Sequence, residues 1–198
     1  MSWPFLYFPG DRLSTAELTC ARLDGDVVEI GDAYMPTDAV ETRELRASSL
    51  RNSVLDTLAV TRESAVWIYG AVPEPPPRHT VQRRSPVRLH HVLDARLEYH
   101  DQLLRPDAVI RIGGVWVTTP EHTLADLVRA LHAGEDVARH AEALLGWRPA
   151  LATEALNVLR DATRWHHKRP AIAWLRDRAQ ESAGVHAGDQ EEVTRYTS

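Results

Sequence analysis

The chain has 198 residues, a mass of 22.3 kDa and a formal net charge of -5, with 43% hydrophobic and 26% charged residues. That is enough chain to bury a core as one domain or two small ones. Its one cysteine, Cys20, excludes an internal disulfide or a Cys-rich zinc site, and no apolar run approaches the roughly 20 residues that a membrane-spanning helix needs.

The opening MSWPFLYFPG is aromatic and Pro-rich, with no basic side chain. This is not a signal-peptide pattern, and a cytoplasmic protein is expected. The arm reads as an extended segment packed on the rest. LSTAELTCARLDGD follows as a helix. Ser14 or Thr15 caps it, Glu17 sits in its first turn and Gly25 ends it in a left-handed conformation. VVEIGDAYMP alternates around Gly31-Asp32 and reads as a short hairpin closed by Pro36. A helix, a glycine and a hairpin are the second half of a winged helix-turn-helix. Glu29 and Asp32 put two acids on that hairpin, which opposes phosphate.

Val40, Leu45, Leu50, Val54, Leu55 and Leu58 recur at three- to five-residue steps, so the spacing predicts an amphipathic helix over 40–60. SAVWIYGAV reads as a buried helix ending at Gly70. Pro73 to Pro77 form a rigid connector. HTVQRR and VRLHHV read as two strands around Ser85-Pro86, while LEYHDQLLR gives no clear pattern. DAVIRIGGVWVTTP is a hairpin around Gly113-Gly114. Thr119 and Pro120 then start a helix with Leu124, Leu127, Val128 and Leu131 on one face. Further helices are expected near 135–145, 150–163 and 170–180. Residues 181–198 read as a disordered acidic tail.

Ten histidines make metal binding a question. The adjacent pairs His90-His91 and His166-His167 do not converge as His at i and i+4 would. The cluster Glu98, His100 and Asp101 matches no known ligand spacing, and surface or packing roles are expected. No nucleophile elbow, phosphate-binding loop or zinc-protease motif is present. Cys20 reads as a small buried hydrophobe. Only Lys168 among the basic residues is lysine, and it lies outside any strand pattern, so the acid and lysine set of a metal-dependent nuclease is missing.

Residues 76–120 are net basic in an acidic chain. Arg78, Arg83, Arg84 and Arg88 form a candidate partner surface, with a charged sheet edge as the plainer alternative. Arg160, Arg164, His167, Lys168 and Arg169 form a second basic group, which a helix C-terminus also favours. Trp67, Tyr69, Trp116 and Trp147 read as core or hinge packing, and Asp126 as a structural anchor near Thr119.

Three of these segments, LSTAELTCARLDGDVVEIGDAYMP, SAVWIYGAVPEPPPRHTV and GGVWVTTPEHTLADLVRAL, together resemble the actinobacterial AbiEi-type antitoxin family of type IV toxin–antitoxin systems. Order and spacing match over about residues 10–145, in a short form lacking a nuclease-like C-terminal domain. The resemblance implies that the first segment is the recognition helix and wing of a winged helix. It implies promoter contacts at Ser14, Thr15, Thr19 and Arg22, and neutralisation of a nucleotidyltransferase-type toxin.

The fold expected is α+β. A truncated winged helix-turn-helix (1–38) is followed by a mixed domain with antiparallel hairpins and a helical C-terminal half (39–180), then the tail (181–198). The function expected is a non-enzymatic antitoxin that binds a cognate protein toxin. Promoter DNA and a homodimer are possible partners; no membrane, cofactor or metal is expected. The alternatives are a stand-alone DNA-binding regulator and a nuclease-related enzyme using Glu98 or Asp101.

Overall fold

A computed structural model describes residues 5–87, 94–163 and 165–195, with side chains of the last segment through Glu181. The fold is mixed α and β, with 44% helix and 18% strand. Among the described residues no helix is long and apolar enough to cross a membrane.

Helix α1 (Thr15–Asp24) forms where its caps specify. Ser14 and Glu17 make a reciprocal capping box, and Gly25 ends the helix at φ 84°. Strands β1 (Val27–Ile30) and β2 (Ala33–Pro36) pair antiparallel around Gly31-Asp32. Tyr7 bridges Tyr34 of β2, and Leu6 and Phe8 are buried, so the N-terminal arm packs on this hairpin.

The expected helix over 40–60 is shorter. Helix α2 (Arg43–Ser49) stops at Leu50, turns follow, and Leu58–Val60 is strand β3. Ser48, Ser49, Asn52 and Ser53 favour caps and turns over a helix interior, and the following Leu-Ala-Val enters a fully buried strand. The leucine spacing is real, but one turn region and one strand produce it.

Helix α3 (Arg62–Ile68) is buried from Ser64 onward, and the chain turns at Gly70, φ 82°. Strand β4 (His79–Arg83) lies antiparallel to β3. Most of the second expected strand, VRLHHV, lies outside the described residues. Strand β5 (Leu97–His100), in a segment without clear periodicity, instead pairs parallel with β4. A 3-10 turn, Pro106–Ala108, leads into β6 (Val109–Ile112) and β7 (Val115–Thr118), the expected hairpin. The sheet runs β5-β4-β3-β7-β6, and β3 and β7 are parallel. The sheet is therefore mixed rather than built only of antiparallel hairpins. Parallel neighbours are joined through long connections and leave no local turn signal.

These elements form one compact unit, 1–119; residues 120–198 form another. The expected boundary at 38/39 falls inside the first unit, because Asp32 accepts hydrogen bonds from Ser53 and Arg96 and so ties the hairpin to later segments. The second unit is helical: α4 (Pro120–His132), α5 (Ala138–Trp147), α6 (Leu151–Asp161) and α7 (Lys168–Arg195). Helix α4 packs on the other three, burying Leu124, Leu127, Leu144, Leu159 and Leu175. The backbone of α7 continues to Arg195, across most of the segment whose composition suggested a disordered tail.

Candidate functional site

The first candidate is α1 with its hairpin. Ser14 is committed to its cap: its N–H and hydroxyl both donate to Glu17 Oε2 at 2.8 Å, and its oxygen accepts from the Glu17 N–H at 3.3 Å. These bonds hold the Glu17 carboxyl below its ordinary range. Thr15 is exposed, and half-buried Thr19 donates back to the Thr15 carbonyl at 2.8 Å. Arg22, the one charged side chain among the expected promoter contacts, lies 3.4 Å from Glu29 of β1.

The two hairpin acids part company. Glu29 is exposed beside Arg22. Asp32 turns inward: its side chain is only 10% exposed and accepts from Ser53 and from Arg96 at 2.9 Å. The expectation that Asp32 would face phosphate is thereby corrected. A second correction concerns Cys20, which is exposed rather than buried. Helix α1 buries only Leu18; Leu23 is 75% exposed and Val28 of β1 42%. The outer surface of the helix is therefore polar, with Glu17, Arg22 and Asp24 exposed around one large apolar side chain, Leu23.

The second candidate was the arginine group of 78–88. Its described members do not converge. Arg78 is exposed and donates to the Leu97 carbonyl at 2.6 Å. Arg83 is buried, 3.0 Å from Asp101, and donates to the carbonyls of Ser85 and Pro86. Burying a guanidinium requires such partners. Arg84 lies over Trp116 at 4.0 Å and donates to the Asp56 carbonyl at 2.7 Å. Arg88 lies outside the described residues. Of the described members, Arg83 is thus held inside the fold, and Arg84 belongs to a different grouping.

That grouping was not anticipated. Asp56 lies 3.6 Å from Arg84 and 3.7 Å from Arg111, and it accepts the Trp116 indole N–H at 2.9 Å. Trp116 is half-buried, packed on Ala59, Leu104, Ala108 and Val109. Its hint in the sequence was the alternation Arg111–Trp116 around a two-glycine turn, but Asp56 and Arg84 come from distant segments.

Several of the remaining candidates are held in contacts within the fold. Lys168 donates to the carbonyls of Arg160 and Ala162 at 3.0 and 2.5 Å, so it caps the end of α6. Arg164 and the pair His90-His91 lie outside the described residues. Asp126 accepts from Arg129 at 2.9 Å. His122 meets Trp165 edge-on. Trp67 and Tyr69 are core residues, whereas Trp147 is 41% exposed beneath Arg148. His79 is buried beside Ser64 Oγ at 3.3 Å, and burial depresses its pKa below 6.5. Glu98 lies 3.6 Å from His100, and Asp101 accepts from the Tyr99 hydroxyl at 2.9 Å. Among the described residues no three His, Cys, Asp or Glu side chains group to hold a metal ion.

No protein-family model matches the chain, and no curated protein is significantly similar to it.

Proposed function

We propose that this chain is an antitoxin-like, non-enzymatic protein that acts by binding a partner protein of the nucleotidyltransferase type. In this reading α1 and the β1–β2 hairpin are a shortened winged helix turned from DNA reading to protein contact. The observation that carries it is the outer surface of α1, where Leu23 stands 75% exposed and Arg22 is paired with Glu29. Leu23 would serve as the apolar anchor of that contact, with the acids around it as the polar rim. Phosphate binding draws on unneutralised Lys and Arg, and here Glu17, Asp24, Asp26 and Glu29 outnumber them.

The test is co-expression of the chain with the protein encoded beside it. The reading expects co-purification, relief of that protein's toxicity, and loss of both in Leu23→Arg. Failure of the wild-type chain to bind or to relieve toxicity contradicts it. Sequence-selective binding to its own upstream DNA, weakening steeply with salt, would favour a DNA-binding regulator instead.

A further inference from the structure

The connection from α2 to β3 and the β6–β7 hairpin enclose a cleft of about 200 Å³, lined by Arg51, Val54, Leu55, Asp56, Arg111 and Trp116 among others. Arg84 closes over the Trp116 ring at 4.0 Å. Two guanidinium groups, of Arg84 and Arg111, thus flank the Asp56 carboxylate, and Arg51 lines the same cleft. With Asp11 near Arg51 this is three arginines to two acids, a local excess of positive charge in a chain whose net charge is -5.

These arginines are held mainly by rings and carbonyls. Arg51 lies 4.4 Å over Phe8, and Arg84 donates to the Asp56 carbonyl at 2.7 Å. Arg111 sits 5.6 Å from Trp116 and donates through Nε to the Gly114 carbonyl at 3.2 Å. Their carboxylate contacts are long: 3.9 Å for Arg51 to Asp11, 3.6 Å and 3.7 Å for Arg84 and Arg111 to Asp56. Elsewhere in the same unit Arg46 meets Glu41 at 2.6 Å and Arg96 meets Asp32 at 2.9 Å. An arginine fixed by stacking but only loosely paired keeps its capacity for a close, charge-assisted bond to an anion.

The rest of the cleft selects among anions. Trp116 packs on the core, and Arg84 covers its ring, so the indole is no open platform for a nucleobase. Leu55, 57% exposed, adds one apolar side chain to an otherwise polar and charged rim. Tryptophan and arginine beside apolar side chains are the composition of protein-interface anchors.

We infer that this cleft binds an acidic segment of a protein, an Asp or Glu carboxylate entering beside Arg51 and Arg111, which line it, while an apolar neighbour covers Leu55. This rests on the reading of the chain as a protein-binding antitoxin, and it supplies a contact separate from the α1 surface. Asp56 is the resident counter-ion that the incoming carboxylate supplements or displaces.

The test uses the full chain and a short fluorescein-labelled peptide of Asp, Glu and Leu, followed by anisotropy. Wild type is expected to bind, more weakly as salt rises. Arg111→Glu is expected to lose at least about tenfold in affinity, Arg111→Lys to fall between, and Asp56→Asn to bind more tightly. Arg111 is 58% exposed, so its variants keep the wild-type circular dichroism. Absence of peptide binding, equal binding by Arg111→Glu, or preferred binding of oligothymidylate lost in Arg111→Glu would overturn the inference. Equal retention of the toxin partner by wild type and Arg111→Glu would also overturn it, leaving the protein-binding reading intact. Failure of wild type to retain that partner contradicts the broader reading, and the peptide titration then decides the cleft by itself.

Discussion

Ser48 of α2 donates a hydrogen bond to the carbonyl of Gly113 at 2.7 Å, across 65 residues of sequence. The small residues Ala47, Ser48 and Ser49 are all fully buried, and two glycine turns lie on them. Gly113 has φ 55° and Gly31 φ 53°. A Cβ at Gly113 would collide with the backbone of Glu44 and Ser48, and one at Gly31 with Ser49. Both hairpins are thus seated on one short helix, which explains the run of small residues, Ala47-Ser48-Ser49, at its C-terminal end.

Gly113→Ala should therefore cost about 3 kcal/mol, from left-handed strain plus a backbone clash. Gly114→Ala is the internal control. Its φ is 89° but nothing lies within 4 Å of the added carbon, so only strain of about 1–2 kcal/mol applies. Urea denaturation of both variants checks the order. Equal losses would mean that the seat on α2 carries no weight.

Asp32 joins the hairpin to Ser53 and Arg96. Asp32→Ala should lose about 2 kcal/mol, because it strips a nearly buried carboxylate from two donors. Arg96→Ala should lose less, its side chain being 58% exposed. Neither variant should alter DNA binding, which separates this acid from Glu29. The readouts are denaturant midpoints and a gel shift.

His79 sets a pH dependence. Burial depresses its pKa, so below 6.5 the unfolded chain takes up a proton that the folded chain still refuses. Its contribution is fully present above pH 6.5 and is lost as pH falls through the folded value. Ser64 Oγ accepts the Thr80 N–H at 2.9 Å, leaving its own proton to face the His79 Nδ1. The thermal midpoint should drop on going from pH 7.5 to 5, and His79→Gln should flatten that slope. An unchanged slope in His79→Gln would assign the drop to other groups.

The pair Arg22–Glu29 makes a prediction about DNA. Arg22→Ala should change binding to the upstream region little, because Glu29 already offsets that charge. Glu29→Arg should raise non-specific affinity and its salt dependence. A gel shift at two salt concentrations with competitor DNA distinguishes them, and a large loss in Arg22→Ala would restore Arg22 as a DNA contact.

The sequence was most legible where the signal is local. The capping box at Ser14 and Glu17, the left-handed Gly25 and the Gly113-Gly114 turn announce their elements in a few residues. It was least legible where partners are remote. Parallel pairing of β4 with β5 has no hairpin to mark it, and Leu50, Val54 and Leu58 mimic a helix because a turn and a strand happen to share their spacing. The arginine cleft was hidden for the same reason. Arg51, Arg84 and Arg111 come together only when β3 joins β4 and β7 in the sheet. Sequence proximity grouped Arg78, Arg83 and Arg84 instead, although Arg83 is buried and bound to Asp101.

Calorimetric titration of the purified chain with the protein encoded beside it, in wild type and in Leu23→Arg, decides whether the chain binds a protein partner through α1. A saturable complex with wild type is expected, and Leu23→Arg weakens it by at least about tenfold. No complex with wild type would contradict it, and a sequence-selective complex on the chain's own upstream DNA would then favour a DNA-binding regulator.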